Sequence, residues 1–236
     1  MNSVQLSKRL SAVAEFVPNN QVTADIGSDH AYLPCYLVLA KKTVKAIAGE
    51  INEGPFQAAK KQVEKNGLQH VISVRKGDGL SVLQKDEATC ITIAGMGGSL
   101  IKTILEEGKE KLGKVERLVL QPNIHAIEVR KWLIDNGWEL EGETILEESG
   151  KIYEVLSAKR GNAMKPYEDL PFEAALLMGP FLLKEKNNVF FKKWKHELSH
   201  RKDILRQLEQ SNGNEQLMQK KEEIKKVIEI IEEVIK

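Results

Sequence analysis

Short apolar runs alternate with amphipathic stretches over residues 1 to about 160, and this alternation constrains the fold more than any other feature of the chain. The runs fall at residues 22–26, 44–49, 71–75, 90–94 and 117–120. Segments with helical periodicity lie at 3–16, 32–41, 55–66, 100–107 and 124–136. Strands separated by helix-length segments are βαβ units. The five runs therefore predict a parallel sheet with helices on both faces. Two further strand candidates, 138–146 and 152–158, are separated only by a turn at Ser149 and Gly150. They predict a hairpin, so one of them runs antiparallel to its neighbour.

The composition shifts near Gly161, and beyond Lys165 and Pro166 strand signals cease. Pro171 and Pro180 punctuate a first helical stretch. A long helix is expected over 187–210, a break at Gly213, and a last helix over 215–236. Trp194, Leu198, Leu205 and Leu208 share one face of the first long helix. Leu217, Ile224, Val227, Ile231 and Val234 follow a heptad on the second, with Lys220 in one core slot. This pattern predicts an antiparallel helical hairpin with a coiled-coil seam. Two domains are expected, residues 1–162 and 163–236.

Charge supports the same division. The net charge is +1, so no global field announces a polyanion partner. Residues 1–162 are balanced, with 21 basic and 21 acidic side chains, whereas residues 184–206 carry eight basic and three acidic. One late segment is selectively basic, and Lys192, Lys193, Lys195, Arg201 and Lys202 on it are candidate phosphate contacts. The two cysteines, Cys35 and Cys90, form no pattern and read as reduced, buried thiols. No apolar run reaches the length of a membrane span, and Lys8 and Arg9 interrupt any signal-peptide core. A cytoplasmic protein is expected.

The stretch "ADIGSDHAYLP", residues 24–34, reads as a strand end, a glycine turn and a helix start. Such turns usually offer backbone N–H groups to phosphate. This one carries acids instead, Asp25 before Gly27 and Asp29 after Ser28. The dinucleotide fingerprint G-x-G-x-x-G is absent, since Asp29 and Tyr32 occupy its later glycine positions. Carboxylates repel a pyrophosphate and attract a cationic nucleoside. S-adenosyl-L-methionine, with its sulfonium and α-ammonium and no phosphate, suits such a site. Glu50 ends the second strand, where an acid can accept from both ribose hydroxyls of a nucleoside. Gly77, Asp78 and Gly79 follow the third strand, where Asp78 could accept from an adenine amino group. Ala94, Gly95 and Met96, within "AGMGG", end the fourth. Each has a plainer reading as well: Ser28 or Asp29 as a helix cap, Asp78 as an ordinary turn residue. Jointly the four strand ends predict one nucleoside crevice.

"ADIGSDHAYLP", "GEINEGP", "KGDGL", "IAGMGG", "LQPN" and "NGWEL" followed by "YEV" together closely resemble the bacterial tRNA (adenine(22)-N1)-methyltransferases, the TrmK family. The likeness covers almost the whole chain. It implies a class I, S-adenosyl-L-methionine-dependent fold: α/β, Rossmann-like, with a mostly parallel seven-stranded sheet, a terminal antiparallel hairpin and a C-terminal coiled-coil hairpin. It implies methylation of N1 of an adenine in the D-arm of tRNA. Asp25, Gly27, Ser28, Asp29, His30, Glu50, Gly77, Asp78, Gly79, Ala94, Gly95 and Met96 are then the cofactor-binding candidates. Asp29 is also the catalytic candidate. Tyr32, Gln121, Pro122 and Asn123 join the five tail cations as candidates for substrate contact. Methyltransferases of exocyclic amines carry Asn/Asp-Pro-Pro-aromatic after strand four, and that grip is absent here. Gln121-Pro122-Asn123 comes after strand five instead, and a carboxamide, both donor and acceptor, suits a base's pairing edge. As a plainer reading, Asn123 caps the next helix.

One motif points elsewhere. "HELSH", residues 196–200, is a literal H-E-x-x-H, which on a helix would make a zinc peptidase with Glu197 as its base. Lys195, Arg201 and Lys202 flank it and no convincing third ligand follows, so no metal is expected. A methyltransferase for another RNA or nucleobase, and a cofactor-binding RNA chaperone without turnover, are the alternatives to the main reading. A monomer is favoured.

Overall fold

The computed structural model describes residues 5–210 and 215–236, arranged in two compact units, Met1–Pro166 and Tyr167–Lys236. The first unit is built on seven strands: β1 (Gln21–Ile26), β2 (Thr43–Glu50), β3 (Ile72–Lys76), β4 (Cys90–Met96), β5 (Arg117–Pro122), β6 (Trp138–Glu148) and β7 (Lys151–Arg160). They form a single sheet in the order β3-β2-β1-β4-β5-β7-β6. Every pairing from β3 to β5 is parallel, and β7 runs antiparallel to both β5 and β6. The hairpin thus returns its second strand against β5 and leaves its first at the edge.

The crossover helices are α2 (Tyr32–Leu39), α3 (Glu53–Lys65), α4 (Gly98–Glu107) and α5 (Ala126–Asp135), preceded by α1 (Lys8–Phe16). The chain winds one way from β1 to β3 and the opposite way from β4 to β5. Right-handed crossovers therefore put α2 and α3 on one face and α4 on the other. Packing agrees with this. Leu33 and Leu37 of α2 meet Val13, Ala14 and Val17 of α1 over Cys90, Val119 and Val155. Ala31 and Cys35 on the other side of α2 meet Ala59 and Val63 of α3 over Ala46, Ala48 and Ile72. Both cysteines are free and buried. Burial pushes the Cys35 thiol up to about 11 and the Cys90 thiol to about 12, so neither is a thiolate at neutral pH.

Helix α1 begins at Lys8, because Ser7 caps it by accepting from the Leu10 N–H at 3.2 Å. Residues 3 and 4 of the expected start lie outside the described residues. The hairpin is locked to α5 by Arg130, whose side chain is 0% exposed. Its guanidinium donates to Glu143 of β6 at 2.7 Å and to Glu154 of β7 at 2.6 Å. The winding reversal falls between β1 and β4, and there a crevice opens at the carboxyl ends of the strands, the place where open α/β sheets bind ligands.

The second unit is helical: α6 (Phe172–Met178), α7 (Pro180–Glu185), α8 (Asn188–Glu209) and α9 (Glu215–Ile235). Gly179, at φ +95°, makes the corner between α6 and α7. Asn187 caps α8 by accepting from the N–H groups of Val189 and Phe190. Helices α8 and α9 pack on each other as the seam predicts, but the burial is uneven. Phe190 and Trp194 are buried on α8, and Ile228 and Ile231 on α9. Leu198, Leu205, Leu208, Leu217, Ile224, Val227 and Val234 are only half-buried, and Lys220 is exposed. Two helices alone shield a seam from two sides. Full burial needs a third layer, which α6 supplies near Ile228, with Lys226 of α9 bridging Glu173 of α6 at 2.6 Å. Ile228, outside the heptad reading, is buried two residues beyond that pair. The break expected at Gly213 lies outside the described residues.

Candidate functional site

The turn after β1 is closed by the protein itself. Gly27, at φ +71°, and Ser28 both donate their N–H groups to the Gly49 carbonyl, at 3.0 and 3.1 Å. The Asp29 N–H donates to Glu50 Oε1, and the Ala31 N–H donates to the Ser28 carbonyl at 3.0 Å. A phosphate-binding turn keeps such donors for its ligand. Here four are committed, and the acids expected from the sequence stand beside them.

These acids are not equivalent. Asp25 is 5% exposed, and its two oxygens accept from the hydroxyls of Ser28 and Thr92, each at 2.6 Å. Burial raises its pKa, and the two hydroxyl bonds oppose the rise. Its carboxylate is bonded within the protein, and Ser28, expected beside it among the cofactor-binding residues, donates to it. They hold the turn from beneath. The physical reason is the parallel sheet, which buries β1 on both sides and turns this side chain inward. Glu50 is 6% exposed at the end of β2 and accepts from the Asp29 N–H. No described Lys or Arg is bridged to it, and burial raises its pKa as the leading cause. Asp29 differs again: its backbone is left-handed, φ +55°, and its side chain is 69% exposed, with Nε2 of His30 at 3.6 Å. His30 stacks on Tyr32, with ring centroids 5.3 Å apart.

Three more segments complete the rim. Met96 lies over the turn, since a Cβ added at Gly27 would stand 2.2 Å from its Cε. Asp78 is exposed and precedes the 3-10 turn at Gly79–Val82, where its carbonyl accepts from the Ser81 N–H. Gly77 donates to the Glu50 carbonyl at 2.9 Å, which ties the third strand end to the second. Gly95 is exposed in a left-handed conformation, φ +83°, with Ala94 half-buried before it.

The carboxamide expected to read a base is bonded within the protein. Gln121 is 0% exposed. Its Oε1 accepts from the Gly95 N–H at 3.0 Å and from Arg9 at 2.5 Å, while its Nε2 donates to Asn123 Oδ1 at 3.1 Å. Pro122 is buried beside it. Both lie buried at the end of β5, where Gln121 supports the Gly95 backbone. Asn123 is exposed, donates to the Gly95 carbonyl at 2.8 Å, and lies at the crevice edge. It does not cap α5, whose N-cap is His125 with no side-chain cap bond. Arg9 drew no attention in the sequence as a site residue. It acts over 112 residues of chain separation, which no local pattern encodes.

The tail cations sit on α8. Lys192 and Lys195 are exposed, Lys193 lies over the Trp194 ring at 5.1 Å, Arg201 pairs with Glu197 at 3.5 Å, and Lys202 pairs with Glu232 at 2.5 Å. The Arg201 pair also occupies the would-be peptidase base. Among the described residues, no group of three or more His, Cys, Asp or Glu side chains is placed to hold a metal ion. Nor is any described helix long and apolar enough to cross a membrane.

Residues 23–233 match the family described as TrmK: tRNA (adenine(22)-N(1))-methyltransferase. A curated relative from Bacillus subtilis (strain 168), the tRNA (adenine(22)-N(1))-methyltransferase, is 57% identical, covering 100% of this chain and 99% of the relative. The crystal structure of the B. subtilis M1A22 tRNA methyltransferase TrmK superposes with a TM-score of 0.95 at 56% identity, covering 99% of this chain and 100% of that one. A Streptococcus pneumoniae protein solved in complex with S-adenosyl-L-methionine gives a TM-score of 0.86 at 42% identity, covering 98% and 100%. A crevice of acids over a turn with spent donors, on a seven-stranded sheet matched along its full length, leaves one conclusion: the chain belongs to the TrmK family of tRNA (adenine(22)-N(1))-methyltransferases.

Proposed function

We propose that this chain transfers the methyl group of S-adenosyl-L-methionine to N1 of adenine 22 of tRNA, acting as a monomer in the cytoplasm. The observation that carries the cofactor half is the sign of the crevice. Gly27, Ser28 and Asp29 spend their N–H groups inside the protein, while Asp29, Glu50 and Asp78 present carboxylates at three strand ends. Such a donor set fits a cationic nucleoside and disfavours a nucleotide phosphate. Glu50 is placed for the ribose hydroxyls and Asp78 for the adenine amine, with Met96 and the backbone at Gly95 as the apolar and close-approach contacts. Family membership supports tRNA as the substrate.

Bound, the cofactor supplies a methyl group already activated on a sulfonium. The protein's part is then alignment and charge. Adenine N1 carries an in-plane lone pair that is largely unprotonated at neutral pH, so no base needs to remove a proton before transfer. The His30–Tyr32 pair offers a face for the target base, and Asn123 offers an amide at the crevice edge. Holding N1 in line is the larger contribution. Asp29, exposed at the mouth, stabilises the positive charge that grows on the ring. The basic face of α8 takes phosphates of the tRNA, and the second unit serves as the tRNA-binding part.

Incubation with labelled S-adenosyl-L-methionine and unmodified tRNA, followed by mass-spectrometric mapping, tests this. One label per tRNA as 1-methyladenosine at position 22, lost when that adenine is replaced by guanine, is expected. Label on another nucleoside would move the function to a different substrate, and sedimentation as a dimer would overturn the monomer.

A further inference from the structure

Ile124 is 61% exposed, in the loop from β5 to α5, one residue beyond Asn123 at the crevice edge. A lone surface isoleucine calls for no explanation, but this one is held out by a fixed frame. The Asn123 N–H donates to the Met96 carbonyl at 2.7 Å, and its Nδ2 donates to the Gly95 carbonyl at 2.8 Å. The Gly98 N–H donates to the Ile124 carbonyl at 2.9 Å, and the Glu128 N–H donates to the His125 carbonyl at 3.0 Å. Gly98 admits the loop this closely because it lacks a Cβ, which would overlap the His125 carbonyl oxygen. His125 itself is left-handed, φ +57°, a conformation disfavoured for a residue with a Cβ. The frame thus holds strain, and the isoleucine it presents to water forgoes the burial that would stabilise it.

We propose that Ile124 is a wedge for RNA: as the target adenosine turns out of its stack into the crevice, this side chain enters the vacated place and packs on the bases left there. This rests on the function proposed above. N1 lies on the pairing edge of adenine, so a methyl group reaches it only once the base has left its pair and its stack. Proteins that unstack a base step frequently insert an apolar side chain, isoleucine among them. A wedge must be apolar, stiff and next to the pocket that takes the base. Ile124 is β-branched, with few rotamers. Its backbone is bonded to the β4–α4 turn, and Asn123 joins it to the crevice edge. An interface between two proteins presents a contiguous apolar patch, whereas here Asn123 and His125, both exposed, flank the isoleucine with polar groups. That setting suits a base stack bordered by sugars and phosphates.

Methylation kinetics on the full-length protein compare two substrates: the unmodified tRNA, and the same tRNA with a mismatched base opposite the target adenine, which then leaves its stack at lower cost. Ile124→Ser should lower kcat/KM on the first by about 10- to 100-fold and much less on the second, while Ile124→Leu keeps most of the activity on both. Calorimetry with S-adenosyl-L-methionine and a thermal melt should match wild type for each variant. Val44→Ser removes a side chain that is 52% exposed at the opposite end of β2 from the crevice, and should leave both rates unchanged. A folded Ile124→Ser that lost the same factor on both substrates, or none on either, would overturn the wedge. So would a lower sedimentation coefficient for Ile124→Ser, which would give the side chain to a second copy of this chain. Wild-type protein that methylated N1 in neither tRNA would sink the proposed function, and this inference with it.

Discussion

Glu50→Gln separates binding from stability at one atom. In the cofactor-free protein Glu50 is nearly buried, accepts the Asp29 N–H, and has its pKa raised above the ordinary 4.5, chiefly by burial. A carboxylate with a raised folded pKa contributes stability that is complete below 4.5 and is lost as pH rises through the raised value. At pH 7 its charge is therefore a cost to the fold, and Gln, which keeps the shape and an acceptor for Asp29, should melt no lower than wild type. Binding responds in the opposite sense. A nucleoside diol donating to the ionised acid makes charged hydrogen bonds worth about 1.5–3 kcal/mol, against about 0.5–1.5 for neutral ones. The difference, about 1–1.5 kcal/mol, weakens the cofactor by roughly 5- to 15-fold. Wild-type affinity should also rise with pH through the raised pKa of Glu50, because a cationic ligand favours the ionised form, and the variant should lose that part of the rise. Titration calorimetry between pH 5 and 8 with parallel thermal melts reads all three. A folded Glu50→Gln with wild-type affinity and an unchanged pH profile would refute the placement of Glu50 on the ligand.

Four further outcomes follow from the geometry. Asp25→Ala should lose about 2–5 kcal/mol of stability in denaturant titrations, because it strands the buried hydroxyls of Ser28 and Thr92, whereas Asp25→Asn should keep most of it. Asp29→Asn should bind S-adenosyl-L-methionine normally and lose kcat on tRNA, and a kcat within a few-fold of wild type would remove Asp29 from the chemistry. Replacing Lys192, Lys193 and Lys195 with Gln should weaken tRNA binding and flatten its slope against log salt by roughly two to three, while cofactor affinity holds. Arg130→Met should destabilise by about 3–5 kcal/mol, leaving Glu143 and Glu154 buried without their cation, as a chemical melt would report.

The strands were legible because each is a short apolar run separated from the next by a helical period, and that periodicity is local. Glu50 was legible too, as an acid at a strand end. What the sequence withheld is the direction in which a side chain faces. In β1 the four residues from Thr23 to Ile26 are all buried, so no alternation of polar and apolar marks Asp25 as inward. Gln121 lies near the carboxyl end of its strand as Glu50 does, yet its carboxamide is bonded to Arg9, Gly95 and Asn123, whereas Glu50 accepts from the Asp29 N–H. One of those partners, Arg9, is 112 residues away along the chain. Ile228 escaped the heptad for a related reason: α6 also packs on α9, and a seam read from two helices has no third layer.

The acids of the "GSD" turn now have separate reasons for being there. A turn that binds phosphate must keep its N–H groups unspent and its neighbours small, because backbone donors and close approach do the binding. This turn takes the reverse course. Asp25 braces it through Ser28, the Gly49 carbonyl collects two of its N–H groups, and Glu50 collects a third. With those N–H groups spent, the turn keeps few donors, and Glu50 and the exposed carboxylate of Asp29 stand beside them as acceptors. On the function proposed above, such a crevice favours a nucleoside that carries positive charge and hydroxyls over one that carries phosphates.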